Sequence, residues 1–383
     1  MNDYFQGAVR QLMERGQRLI SMIPTGLARE FHRLEDICRE RLVNVLDELD
    51  KLINDPETLR PRNQPERLRR YKRAIWEMDL LETVCIAALE RAKDFDKHLN
   101  RLIERIRIEI AYPMLPPVVT PLSQSYFQTY PRFNLMLVPL GEGHFLLHLP
   151  DMYHELAHPL LISRYDRRIQ PFKDSFLEVT EVVTAYIEDE LEREKRGGGP
   201  PLISFYLQQW LKCWIVNWTT ELFCDLFALY TLGPAYAWSH LHLAATRGED
   251  PFKVPTLSSG SATHPADGAR MVVMLHGLTL IGFAPEAVEI EARWNELLTA
   301  ARAHPDPDYR RCFPKRMLEI VAEKALAGVK GMNCRVVDPA TDDVVHNILN
   351  GAWREFWHNP ADYAEWEKSA VEALRQECLK VAS

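Results

Sequence analysis

His154-Glu155-Leu156-Ala157-His158 places two imidazoles four residues apart. On a helix that spacing stands both on one face, one turn apart, where they can grip a single metal ion. Glu155 is displaced around the helix, too far to share the metal but near enough to serve a water there as general base. A second pair of chemically able residues lies in Trp218-Thr219-Thr220-Glu221-Leu222-Phe223-Cys224-Asp225-Leu226, an apolar segment with carboxylates at i and i+4. Glu221 and Asp225 share a face, with Leu222, Phe223 and Leu226 packing around them. Most helical carboxylates lie on a solvated stripe. Two acids in so apolar a helix are costly unless paired or bound to metal. Zinc at an open site takes three protein ligands, and Glu221 completes a set with His154 and His158. Asp225, one turn along, is placed to orient a ligand histidine from behind. Glu181, on an upstream helix with Glu178 and Glu188, is the reserve third ligand.

A third segment, Ser261-Ala262-Thr263-His264-Pro265-Ala266-Asp267-Gly268-Ala269-Arg270-Met271, follows a loop rich in Gly, Ser and Thr. Thr263 is expected to cap a helix whose first turn holds Pro265. That places His264 at a stiffened helix entrance and Arg270 well inside the helix. Alone, such a histidine is more often structural.

Taken together, HExxH, an ExxxD helix ending in Leu-Gly-Pro, and His-Pro with an arginine beyond it resemble the gluzincin metallopeptidases. The similarity is to the group containing the CAAX prenyl proteases, the bacterial heat-shock membrane protease and their small soluble relatives. It spans about residues 140–282. The resemblance implies His154, His158 and Glu221 as zinc ligands, Glu155 as general base and Asp225 behind a histidine. It also implies His264, with Arg270, beside the reacting carbonyl as catalytic residues. In such enzymes the strand before the motif helix is the edge that receives an extended substrate.

The rest of the chain must position these groups. At 383 residues, with 46% apolar and 26% charged residues and a net charge of −8, the composition is that of a globular protein. No apolar run approaches the 18 or so residues of a membrane span, and no export signal is visible, so a soluble cytoplasmic protein is expected. Seven scattered cysteines without a CxxC pair read as reduced thiols.

The fold class expected is mainly α with a small β element. A zincin-like core, a short β-hairpin or sheet plus the two motif helices, would be enclosed by N- and C-terminal helices. Residues 1–112 read as a long antiparallel helical hairpin, with helices at about 27–54 and 66–111 from their three- and four-residue apolar steps. Residues 113–283 would be the catalytic core and 284–383 a helical C-terminal region. Segments 134–139 and 144–149 read as a β-hairpin leading to the motif helix, with Asp151 as its N-cap. His144 and His148 alternate on that second arm and make a poor second metal site. Pro159 should bend the motif helix. Gly197-Gly198-Gly199-Pro200-Pro201 reads as a flexible break before the ExxxD helix. The basic bend Arg60, Arg62, Arg67, Arg69, Arg70, Lys72 and Arg73 lacks the aromatics of a nucleic-acid site and is expected to face solvent.

The function expected is a soluble zinc endopeptidase with one zinc per chain, acting on a protein or peptide. The alternative is a zinc-bearing scaffold or regulatory protein whose peptidase activity is masked or lost.

Overall fold

The structure, a computed structural model, describes residues 2–92, 94–123, 126–163, 166–198, 200–256 and 262–380. The chain is mainly helical with one small sheet and forms two compact units, one of residues 1–101 and 117–140, the other of 102–116 and 141–383.

The first unit holds α1 (Asn2–Met22) and α2 (Arg29–Asn54). The stripe Phe31, Leu34, Cys38, Leu42, Val45, Leu49 and Leu52 is buried along α2, as its helical spacing requires. α3 (Gln64–Leu80) packs against α2, so the hairpin forms. α3 runs through a π-helical turn, Leu81–Ile86, into the short α4 (Ala87–Glu90), and α5 (Asp94–Glu109) starts afresh. The single helix expected over 66–111 is therefore interrupted, although no proline or glycine marks the break. Most cations of the basic bend find partners nearby. Arg67 is buried and donates from Nε to the Leu52 carbonyl at 2.8 Å, closing the end of α2. Arg60 and Arg62 pair with Glu57, Arg69 with Glu66, and Arg70 with Glu48.

The sheet has strands β1 (Val118–Ser123), β2 (Gln128–Tyr130) and β3 (Leu135–Pro139) in the order β1-β3-β2. β3 pairs in parallel with β1 and antiparallel with β2, the chain reversing at Asn134, which has φ of 50°. This corrects the expected β-hairpin. Its first arm is the central strand, buried on both faces as the run Leu135-Met136-Leu137-Val138 demands, and not a free edge. Its second arm is not a strand. Glu142–His144 is a 3₁₀ turn, and the Leu146 N–H is taken by the Glu367 carboxylate at 2.8 Å instead of a strand partner.

In the second unit α6 (Asp151–Ile162) bears the two motif histidines. Pro150 and not Asp151 is its N-cap, and the Asp151 carboxylate accepts instead from Ser239 Oγ at 2.9 Å. Pro159 sits inside α6 three residues from its end, where the helix needs few further bonds. α7 (Gln170–Gly197) ends at Gly198, which caps it in the left-handed region. Gly199 lies outside the described residues. α8 (Pro201–Cys213) passes through a π turn, Trp214–Trp218, directly into α9 (Thr219–Leu232). Thr219 Oγ1 donates to the Trp214 carbonyl, five residues back, at 2.9 Å and so satisfies a group the wide turn loosens. α9 is buried nearly all round, packed by α6, α7, α10 (Pro234–Arg247), α11 (Asp267–Leu280) and α14 (Lys315–Gly331). α12 (Ala284–Ala301), α13 (Pro307–Cys312), α15 (Val344–His358) and α16 (Tyr363–Leu379) complete the unit. Among the described residues no helix is long and apolar enough to cross a membrane.

Candidate metal centre

The motif helix α6 lies against α9, and the i, i+4 pairs of the two helices meet. His154 is buried and held from behind by its Nδ1, 2.9 Å from Asp225 Oδ1 and 2.9 Å from the Tyr236 hydroxyl. Its other nitrogen, Nε2, stands 3.4 Å from Glu221 Oε2. His158, one turn further, has its Nδ1 3.5 Å from Cys224 Sγ. Donor atoms of His154, His158 and Cys224 lie within 4.8 Å of one another, a buried group able to hold a metal ion.

Asp225 is the anchor of the site. It is fully buried, accepts from the Tyr236 hydroxyl at 2.5 Å, and receives both Arg270 Nε (2.7 Å) and Nη2 (2.6 Å). Burial opposes its charge, but Arg270 outweighs burial and holds the carboxyl well below the usual range. Arg270 is placed differently from expectation. It is buried in this fork with Asp225, behind the histidines, and so orders the site without facing the cleft.

Charge is shared along this chain of groups. Burial disfavours a proton on His154, yet Asp225 and then Glu221 overcome it and raise the pKa to about 10. Burial, with the neighbouring His154 charge behind it, lowers His158 to about 4. For Glu221 burial pulls upward, but His154 prevails and the pKa falls to about 2. The positive charge beside Glu221 is that of the His154 imidazolium.

His264 arrives from a separate segment. Its Nε2 is 3.5 Å from the same oxygen, Glu221 Oε2, and its side chain is 51% exposed. The expected helix cap at Thr263 is not formed: α11 begins at Asp267 after Ala266, and Thr263 Oγ1 bonds His264 Nδ1 at 2.9 Å instead. Two indoles brace the segment, Trp210 donating to the Pro255 carbonyl at 3.2 Å and Trp218 to that of Ala262 at 3.1 Å. Ser261 and the Gly/Ser part of the preceding loop, 257–260, lie outside the described residues. His264 opens on a cleft of about 430 Å³ whose walls carry Arg247, Lys253, Glu249, Asp250 and Asp267.

Glu155 is buried on α6 between the two histidines. Glu181 is exposed on α7. His148 is turned to Glu142 at 3.1 Å and His144 to Arg375 at 3.1 Å, so neither belongs to a metal group among the described residues. Sequence reasoning missed Cys224 and Tyr236. Cys224 stands three residues beyond Glu221 and shares its face, a legible signal. Tyr236 reaches Asp225 only because Gly233 turns the chain between α9 and α10 with φ of 87°, a conformation open to glycine.

The residues suit a transition-metal ion. Two imidazoles, a carboxylate and a thiol are its preferred donors. Glu221 Oε2 is buried and makes no close hydrogen bond among the described residues, its nearest ring nitrogens being His154 Nε2 at 3.4 Å and His264 Nε2 at 3.5 Å. No protein-family model matches the chain, and no curated protein or solved structure matches it.

Proposed function

We propose that this chain is a zinc-dependent endopeptidase of gluzincin type, with a zincin-like core built on α6 and α9, that hydrolyses a peptide bond in a protein or peptide. One observation carries the reading: the buried Glu221 Oε2 lies within 3.5 Å of a ring nitrogen of both His154 and His264, residues brought from two distant segments.

His154, His158 and Glu221 would hold the ion. Zinc bound there would supply a Lewis acid for the scissile carbonyl and acidify a water toward neutrality. Asp225 and Tyr236 hold His154 by Nδ1, which keeps Nε2 directed at Glu221. Arg270 keeps Asp225 ionised and fixed. Glu155 takes a proton from the attacking water and hands it to the leaving amine. His264, half exposed at the mouth of the cleft, donates a hydrogen bond to the carbonyl oxygen as charge gathers on it.

Purified protein is expected to carry about one zinc per chain, lost on His154→Ala or His158→Ala. Glu155→Gln should keep the zinc while cleavage of a peptide library falls about 100-fold or more. Equal cleavage by wild type and Glu155→Gln would refute the hydrolytic mechanism. Zinc-loaded protein that cleaves nothing in broad screens would favour a scaffold or regulatory role.

A further inference from the structure

We propose that Cys224 is a positioning residue for His158, holding its Nδ1 as Asp225 holds Nδ1 of His154, so that the second nitrogen of each ring is left for the metal. The proposal rests on the metal reading given above and names a device that the HExxH and ExxxD patterns do not contain.

The geometry is paired. α6 presents histidines at 154 and 158, and α9 answers with adjacent residues, Asp225 at 2.9 Å from Nδ1 of the first and Cys224 at 3.5 Å from Nδ1 of the second. A sulfur at that distance is a hydrogen-bond partner of ordinary length for its size. Cys224 is fully buried behind this ring. Glu221, Cys224 and Asp225 fall at i, i+3 and i+4, a single face of α9 turned to α6. A neutral imidazole carries one proton. With Nδ1–H donated to Cys224 Sγ, the lone pair sits on Nε2, the state a metal ligand requires.

The other role open to this sulfur is that of a ligand, since it also lies within 4.8 Å of donor atoms of both histidines. That role has a consequence. Sulfur, two imidazoles and Glu221 would make four protein ligands, which closes a zinc site and marks it as structural. Three ligands with the sulfur behind His158 keep one position open for substrate. The role of Cys224 therefore separates a catalytic centre from a structural one.

Cobalt(II) titration of the metal-free full chain tests this. The wild type should develop visible d–d bands without a thiolate-to-cobalt charge-transfer band in the near ultraviolet. Cys224→Ala should bind cobalt and zinc about 10–100-fold more weakly. Cys224→Ser, whose hydroxyl can accept from Nδ1–H, should recover most of that loss. A charge-transfer band in the wild type that Cys224→Ser abolishes would make the sulfur a ligand and overturn the proposal. Wild-type metal affinity in Cys224→Ala would overturn it equally. Failure of the wild type to take up either metal would refute the metal reading itself, and this proposal with it.

Discussion

Asp225 does more than any other side chain to order the candidate centre, because it receives Arg270, Tyr236 and His154 together in a fully buried position. A buried charge with one partner removed is strongly destabilising. Asp225→Asn keeps the shape but leaves Arg270 buried without its counter-charge. We expect a loss of about 3–5 kcal/mol in urea unfolding and a 10–100-fold fall in zinc affinity. Unchanged stability and affinity would show that the fork with Arg270 is incidental. His264 should behave oppositely. Its side chain is half exposed and its contacts to Thr263 and Glu221 are few. His264→Ala should change stability by no more than about 0.5 kcal/mol while turnover falls about 100-fold. Wild-type turnover in that variant would remove His264 from the chemistry.

At the scale of elements, the centre depends on how α9 is entered and left. The π turn at Trp214–Trp218 joins α8 to α9 without a loop, and its Trp218 indole braces the segment carrying His264. At the other end Gly233, with φ of 87° and ψ of −149°, lets α10 start at once and bring Tyr236 back to His154 and Asp225. A Cβ at Gly233 would meet Phe283 and Val337 at 3.5 Å, an ordinary contact, so crowding is not the obstacle. Backbone strain is. Gly233→Ala should cost about 1–3 kcal/mol by urea denaturation and weaken zinc binding by displacing Tyr236. A variant as stable as the wild type would mean that α10 can be re-entered by another route.

At the scale of the molecule, acid sensitivity follows from buried histidines. His240 on α10 is 2% exposed, and burial, then Arg270, lowers its pKa from 6.5 to about 4. Asp267 and Asp225 act in the opposite sense without overcoming this. Between about pH 4 and 6.5 the unfolded chain therefore binds a proton that the folded chain refuses. Stability is full above this window and falls as the pH drops through it, by about 2 kcal/mol from this residue at pH 5. In His240→Asn the acid limb of stability against pH should be shallower by one proton. An unchanged limb would assign the acid loss to other groups.

Local patterns determined much of this protein. The i, i+4 spacings of His154 with His158 and Glu221 with Asp225 fixed which side chains share a helical face, and the apolar stripe of α2 settled its buried side, because both follow from 3.6 residues per turn. The apolar run of β3 marked a strand, but its central, doubly covered place in the sheet came from the pairing with β1 and β2. What the second arm of the supposed hairpin would do was not local: Glu367, far along the chain, takes the Leu146 N–H. Arg270 could be placed in a helix from its neighbours, but its choice of Asp225 over the cleft was decided by α11 packing on α9. Cys224 showed its face in the sequence, whereas its partner, His158, depended on the contact of α6 with α9. Spacing along a helix is a property of the chain; which helix a face meets is set by the packing of all of them.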